Sequence, residues 1–417
     1  MNSFKKIKYC RICASKNLKE IINLGKQNIQ GAFVKKGYPK PYFRKIPLNL
    51  VLCPECSLVQ LQHTVNPKIL YKNYWYMSGI NKTMRNHLNA IVNSSLKIIK
   101  KNKDTKVLDI GCNDGTLLRN YPAYFQKVGI DPSQIVETIN NTNKMKNFIF
   151  FKNFFPSKKF ITKFKKNKFD IITSIAMFYD LENPNKFVKN IKEILKTNGI
   201  WIVEMSYLPE MIKTRSFDTI CHEHLEYYSL KSLNYLMNQN GMKIFKISFN
   251  NINGGSIRCY ISHQDQILYQ NKKDKKIILN CLKKEKKNKI YQAATYSRFT
   301  KKIKFIKHKI KNLLNKIRQQ KKTIHIYGAS TKGNTIIQFL NICNKQIPYA
   351  AERNPIKWGA KTLGSNIRII SEKDSKLLKP DYYFVLPWHF KKEILNREKK
   401  SLGKIKFIFP LPNVEIY

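Results

Sequence analysis

Two cysteine pairs constrain this chain more than anything else in it. Cys10-Arg-Ile-Cys13 and Cys53-Pro-Glu-Cys56 are both C-x2-C turns, separated by 39 residues. Such a turn brings two thiolates onto one tetrahedral ion, so a pair of turns completes a closed, all-thiolate structural zinc site with no position open for catalysis. Cys10, Cys13, Cys53 and Cys56 are the expected ligands. The gap is longer than a minimal ribbon needs, so a small subdomain must lie between the turns. Neither pair sits in a βαβ pattern, which argues against a redox dithiol. The chain has 9 cysteines and a basic N-terminus without the apolar core of a signal peptide. Both features suit a reducing cytoplasm better than a disulfide framework.

The second constraint is a glycine turn between buried strands. TKVLDIGCNDGTLLRNY reads as a strand over 107–110, a turn through Gly111 and Gly115, and a helix opening near Thr116. Further on, KVGIDPS gives a strand ending at Asp131, where a carboxylate suits the two hydroxyls of a ribose. FDIITSIAMFYDL adds a third apolar strand with a polar edge. The turn departs from G-x-G-x-x-G, and Thr116 stands where a third glycine would cradle a pyrophosphate, which argues against NAD. DIGCNDG followed by GIDPS instead resembles the S-adenosylmethionine loop of class I methyltransferases, with Asn113 where that family usually has Gly. The resemblance implies that Asp109, Gly111, Asn113 and Gly115 border the amino-acid end of the cofactor and that Asp131 grips its ribose. Phe154 and Phe155 would flank the adenine or belong to the core.

Toward the C-terminus, a basic helix is expected over 285–320. Phe299, Ile303, Ile306, Ile310, Leu313 and Ile317 form one apolar stripe along it, suited to packing or to a membrane surface. TIHIYGASTKGNTIIQFL repeats the order strand, glycine loop, helix. Asn334 stands where a Walker loop requires Lys, so this is not an NTPase loop, but its backbone N–H groups and Lys332 can meet an anion at the helix N-terminus. YYFVLPW and KFIFPLP supply further strands of a second α/β unit.

A length of 417 residues allows two or three domains. The net charge of +52 is dispersed along the chain, and no aromatic-interleaved basic motif accompanies it. That pattern favours solvated faces and a polyanionic small substrate over a specific nucleic-acid site. A zinc-containing RNA-binding or RNA-modifying protein is the rival from another class. No apolar run approaches the roughly 18 residues that span a bilayer.

The remaining motif is FDTICHEHLEYYS, which gathers His222, Glu223 and His224 in a chain with 8 histidines. With the four-cysteine module, DIGCNDGTLL, NINGGSIR, GASTKGNT and ERNPIKWGAKTLGSNIRI, it completes an order that runs nearly end to end. That order resembles the three-domain C-methyltransferases acting on nucleotide-linked deoxysugars. The resemblance implies methyl transfer to a ring carbon of a keto-sugar still carrying its nucleotide diphosphate; O- or N-methylation of a sugar is the alternative. It makes His224 the base, with Glu223 assisting and His222 supporting, and gives Tyr76 a contact to the sugar or its ketone. A histidine base needs a neighbour that orients it, and carbon becomes nucleophilic only when the proton beside a ketone is removed. In an extended stretch His222 and His224 would face one way and Glu223 the other. Metal binding by the H-x-H pair, or capping of a helix near Ser229, would be the non-catalytic roles. Gly254 and Gly255 suit a hairpin turn, and Arg258, Lys332 and Asn334 are candidate phosphate or sugar contacts. The chain departs from the family in having Cys221 where Tyr often precedes HEH, and AMFYD where the strand edge often carries a polar residue or histidine.

The expected architecture is α/β: a zinc-binding module over 1–75, a methyltransferase sheet over 76–245, and a Rossmann-like unit over 246–417. The substrate should lie between the last two, with the zinc module closing over it.

Overall fold

The computed structural model describes residues 3–71, 75–142 and 147–417. Its centre is a seven-stranded sheet. In spatial order the strands are Met242–Asn250, Ser256–His263, Leu195–Ser206, Phe169–Ile175, Lys106–Ile110, Gln126–Asp131 and Phe148–Lys152. The last five run parallel, and Ser256–His263 is antiparallel to both of its neighbours. Strands buried on both faces must be apolar nearly throughout, which explains runs such as GIWIVEMS. The chain reverses direction of travel across the sheet between Lys106–Ile110 and Phe169–Ile175, the place where such folds open a crevice for ligands. The 245/246 boundary falls inside Met242–Asn250, and both strands of that hairpin belong to this sheet.

The C-terminal sheet has eight strands: Glu415–Ile416, Lys406–Phe409, Tyr382–Val385, Ile324–Tyr327, Tyr349–Glu352, Arg368–Ser371, Lys361–Thr362 and Phe33–Val34. Its five-strand interior is parallel, with a second switch point between Ile324–Tyr327 and Tyr382–Val385. The last strand comes from the N-terminal module, which thereby reaches across the molecule. That module also builds an antiparallel sheet of Lys19–Gln27, Ile46–Leu52 and Val59–Leu61, and its fourth strand is Glu226–Tyr227.

Two expectations about helices need correction. The turn after Lys106–Ile110 leads into a 3-10 turn, Leu118–Asn120, not an α-helix opening near Thr116. The basic helix over 285–320 is the second of two, Lys272–Lys287 and Ala293–Gln319. Its buried stripe is completed by Leu314, with Leu313 half-buried against the same core. At 3.6 residues per turn the two leucines lie about 50° to either side of the stripe, so both reach the core. The stripe packs into a core shared by the C-terminal sheet and the N-terminal module, so this helix face is covered by protein. Among the described residues, no helix is long and apolar enough to cross a membrane.

Candidate active site

The four cysteines meet as their spacing requires. Cys10 and Cys56 place Sγ atoms 3.4 Å apart, as do Cys13 and Cys53, and all four lie within 4.8 Å of one another. A tetrahedron with zinc–sulfur bonds of about 2.3 Å has edges of about 3.8 Å, so the donor set fits zinc. Asn185 and Gln239, on two helices of the central unit, donate to the Ile12 carbonyl, and Asn185 also reaches that of Arg11. The first cysteine turn is thus bolted to the central unit.

The central glycine turn gathers acidic groups. Gly111, Asn113 and Gly115 have φ of 74°, 50° and 72°. A side chain at Gly111 would press on Met177 at 2.9 Å, so the position needs glycine twice over, for conformation and for space. Asp131 accepts from the backbone N–H of Asn113 at 2.9 Å and of Ser133 at 2.8 Å. Asp109 accepts from the Thr173 hydroxyl at 2.6 Å. Burial, opposed by that hydrogen bond and reinforced by Asp131 and Asp114, pushes the Asp109 carboxyl up to about 7. Three carboxylates on one turn with no basic side chain in their hydrogen-bond sets fit a ligand bearing a sulfonium and an ammonium, which are the charges of S-adenosylmethionine. The segment before helix Lys82–Leu96 closes the turn: Ser78 and Gly79 donate their N–H groups to Asn113 and Asp114, and Asn113 donates to the Tyr76 carbonyl. Tyr76 itself is half-exposed, with its hydroxyl pushed up to about 12 by burial of that end. Phe154 is exposed, whereas Phe155 is buried against Phe160 and Phe187.

The HEH segment is not extended. His224 N–H bonds back to the Cys221 carbonyl, making a turn that sends the three side chains apart. His222 is fully buried, its ring nitrogens against Gln30 Oε1 at 2.8 Å and the Ile46 carbonyl at 3.2 Å. Glu223 accepts from the Gly31 N–H at 2.8 Å, and burial raises its carboxyl. His224 alone keeps a nitrogen available. Its Nδ1 faces the Thr219 carbonyl at 2.7 Å, which can only accept, so Nδ1 carries the proton and Nε2 the lone pair. Among the described residues no hydrogen bond engages Nε2. Burial, with Lys332 nearby, pushes the imidazole down to about 3 against the pull of Thr219, so it is neutral at pH 7. Its ring lies 4.3 Å from that of Tyr179, whose carbonyl accepts from Leu225 N–H, and the two rings share a small cavity with Tyr207 and Met211. Since Met177 abuts Gly111, two residues of chain connect the cofactor turn to the aromatic partner of His224.

Arg258, Lys332 and Asn334 do not come together. Arg258 Nε bonds Glu204 at 2.7 Å, and His87 holds the other oxygen of that carboxylate, so Arg258 is committed to the end of the central sheet. Lys332 donates to the Asn253 carbonyl at 3.0 Å, from the first turn of helix Thr331–Leu340. Asn334 donates to the Gln30 carbonyl at 2.6 Å. Sequence reading missed Asp218, which is buried and bonded by Trp388 Nε1 at 3.0 Å, and whose carboxyl burial raises despite Lys332. It also missed Glu204, an acid that follows the apolar run Ile200–Val203 of its strand, where a buried-strand reading had a signal to follow.

Comparison with known proteins accounts for nearly the whole chain. Residues 10–71 match the model of a zinc binding domain, 80–247 that of a methyltransferase domain, and 251–412 that of a C-methyltransferase C-terminal domain. The C-methyltransferase NovU of Streptomyces niveus is 24% identical over 409 residues, covering 98% of this chain and 96% of NovU. Among solved structures, the plantazolicin methyltransferase BpumL with SAH is 16% identical, covers 42% of this chain and 82% of its own, and has a TM-score of 0.33. A methyltransferase of Clostridium acetobutylicum dependent on S-adenosylmethionine is 12% identical, with coverage of 42% and 90% and a TM-score of 0.33. With its zinc module, its methyltransferase sheet and its C-terminal unit each matched in order, the chain has the domain make-up of a C-methyltransferase and is an S-adenosylmethionine-dependent methyltransferase.

Proposed function

We propose that the enzyme methylates a ring carbon of a keto-deoxysugar attached to a nucleotide diphosphate, with His224 as the base. The observation that carries this reading is the His224 tautomer: Nδ1–H is spent on the Thr219 carbonyl, so Nε2 keeps a lone pair for a proton, while burial and Lys332 oppose the charged form. A carbon acid needs such a base, whereas methylation of an oxygen or nitrogen lone pair needs no enolate. Bound S-adenosylmethionine supplies an electrophilic methyl group. His224 Nε2 would take the proton beside the ketone, the electron pair of that C–H bond forms the enolate, and the enolate carbon takes the methyl group as the methyl–sulfur bond breaks and its electron pair returns to sulfur. The imidazolium stays aligned because Thr219 and Tyr179 hold the ring. Asp131 and Asp109 hold the donor's hydroxyls and positive charge. Lys332, in the first turn of helix Thr331–Leu340, favours the anionic end of the sugar nucleotide, while Asn334 is held on the Gln30 carbonyl. Glu223 and His222 serve as scaffold in this scheme, since each is bound to the N-terminal module.

Labelled S-adenosylmethionine incubated with a panel of nucleotide 4-keto-sugars tests the substrate class. Methyl found on carbon supports the reading; methyl on oxygen or nitrogen overturns it. His224→Asn should still bind both ligands, lose turnover by about 10²–10⁴-fold, and stop exchanging deuterium at the ring carbon with solvent. Normal turnover and exchange in the folded variant would remove His224 from the mechanism.

A further inference from the structure

The base segment is tied to the zinc module through a buried charge pair. Arg11 lies between Cys10 and Cys13, with 3% of its side chain exposed, and its Nε is 3.6 Å from Glu226, whose side chain is fully buried. Its guanidinium is otherwise committed to Gln60 Oε1 at 3.2 Å, the Leu61 carbonyl at 2.7 Å and Thr64 Oγ1 at 2.8 Å. Burial pushes the Glu226 carboxyl well above the ordinary carboxylate range, and Arg11 is the basic group that opposes this, with the Leu181 backbone assisting. Glu226 is two residues from His224. Between them, Leu225 donates to the Tyr179 carbonyl at 2.7 Å and accepts from Leu61 N–H at 2.8 Å.

We propose that Arg11 and Glu226 are positioning residues for methyl transfer, setting the place of His224 relative to Tyr179 and the cofactor turn. The inference rests on the His224 reading above. The path is continuous: Asn185 and Gln239 fix the cysteine turn to the central unit, Arg11 projects from that turn, and Glu226 takes its register from Arg11 and from pairing with Gln60. The zinc module is thereby a jig for the base as well as a cover. A buried carboxyl with a single basic neighbour has its position biased toward that neighbour, and an amide in its place lacks the bias. A displacement of about 1 Å is enough to cost up to about 10²-fold in rate when the reacting atoms must align.

The test uses the full chain with zinc bound. Glu226→Gln, isosteric and uncharged, should lower kcat by about 10- to 100-fold, with deuterium exchange at the ring carbon slowed in parallel. Affinity for S-adenosylmethionine, KM for the sugar nucleotide and zinc content should stay at wild-type values. Arg11→Lys should recover part of the rate that Arg11→Met loses. A merely structural pair would instead lower the folded fraction or raise KM, and the loss would vanish once activity is normalised to folded, zinc-loaded enzyme. Wild-type kcat in folded Glu226→Gln, with His224→Asn inactive, overturns the positioning role alone. Wild-type kcat in His224→Asn overturns the base and this inference with it. Should Arg11→Met fail to fold, Glu226→Gln decides the matter.

Discussion

The molecule contains the same turn twice, with opposite electrical character. In the central unit the loop after Lys106–Ile110 sends the Asn113 N–H to Asp131, the acid closing the next strand. In the C-terminal unit the loop after Ile324–Tyr327 sends the Ala329 N–H to Glu352, again the acid closing the next strand. Gly111 and Gly328 both sit at positive φ, 74° and 82°. Around the first turn gather Asp109, Asp114 and Asp131. Around the second, Lys357 lies 3.7 Å from Glu352 and bonds the Ala329 carbonyl at 2.7 Å, and Lys332 enters the helix that follows. The backbone geometry makes a crevice in either case, and side-chain charge decides what it suits. An acidic turn suits a cationic ligand; a turn whose acid is paired with a lysine, with Lys332 in the first turn of its helix, suits an anionic one.

The largest expected difference between the two is at the acids. Asp131→Ala should weaken S-adenosylmethionine binding by about 10- to 150-fold, corresponding to the 1.5–3 kcal/mol of charge-assisted hydrogen bonds to the ribose. Calorimetry giving wild-type affinity would remove Asp131 from the cofactor site. Lys332→Met should leave that affinity alone and raise KM for the sugar nucleotide by about tenfold, on the order of a single charge-assisted contact. A change in donor binding instead would erase the division of labour between the turns.

A smaller effect concerns protons. Asp109 has its folded-state carboxyl raised to about 7. Between the ordinary carboxylate range and that value the folded protein holds a proton that the unfolded chain does not, so this group's contribution to stability falls as pH rises through the window. A bound cation favours the carboxylate, so S-adenosylmethionine binding near pH 6 should release a fraction of a proton and tighten as pH rises toward 7. Calorimetry in buffers of different ionisation enthalpy reads the release, and Asp109→Asn should abolish it. Release undiminished in the variant would mean that another group titrates.

Much of this chain was legible from local pattern. The cysteine turns, the strand ending at Asp131, the C-terminal strand–glycine–helix unit and the Ser229 helix start are set by neighbours a few residues apart, where spacing and backbone chemistry suffice. The HEH segment shows the limit. Alternation predicted its faces only on the assumption of an extended chain, and the His224-to-Cys221 turn replaced that assumption. Which histidine keeps a free nitrogen depended on Gln30, Ile46 and Thr219, two of them more than 170 positions away. Arg258 looked available until Glu204 was placed beside it, and Asp218 meant nothing until Trp388 was. The sequence by itself determined the elements, the metal ligands and the chemistry these residue types can perform. Only the tertiary structure decided which polar groups are paired and which remain open, because burial makes every such group depend on whichever partner the fold delivers, however distant in the chain.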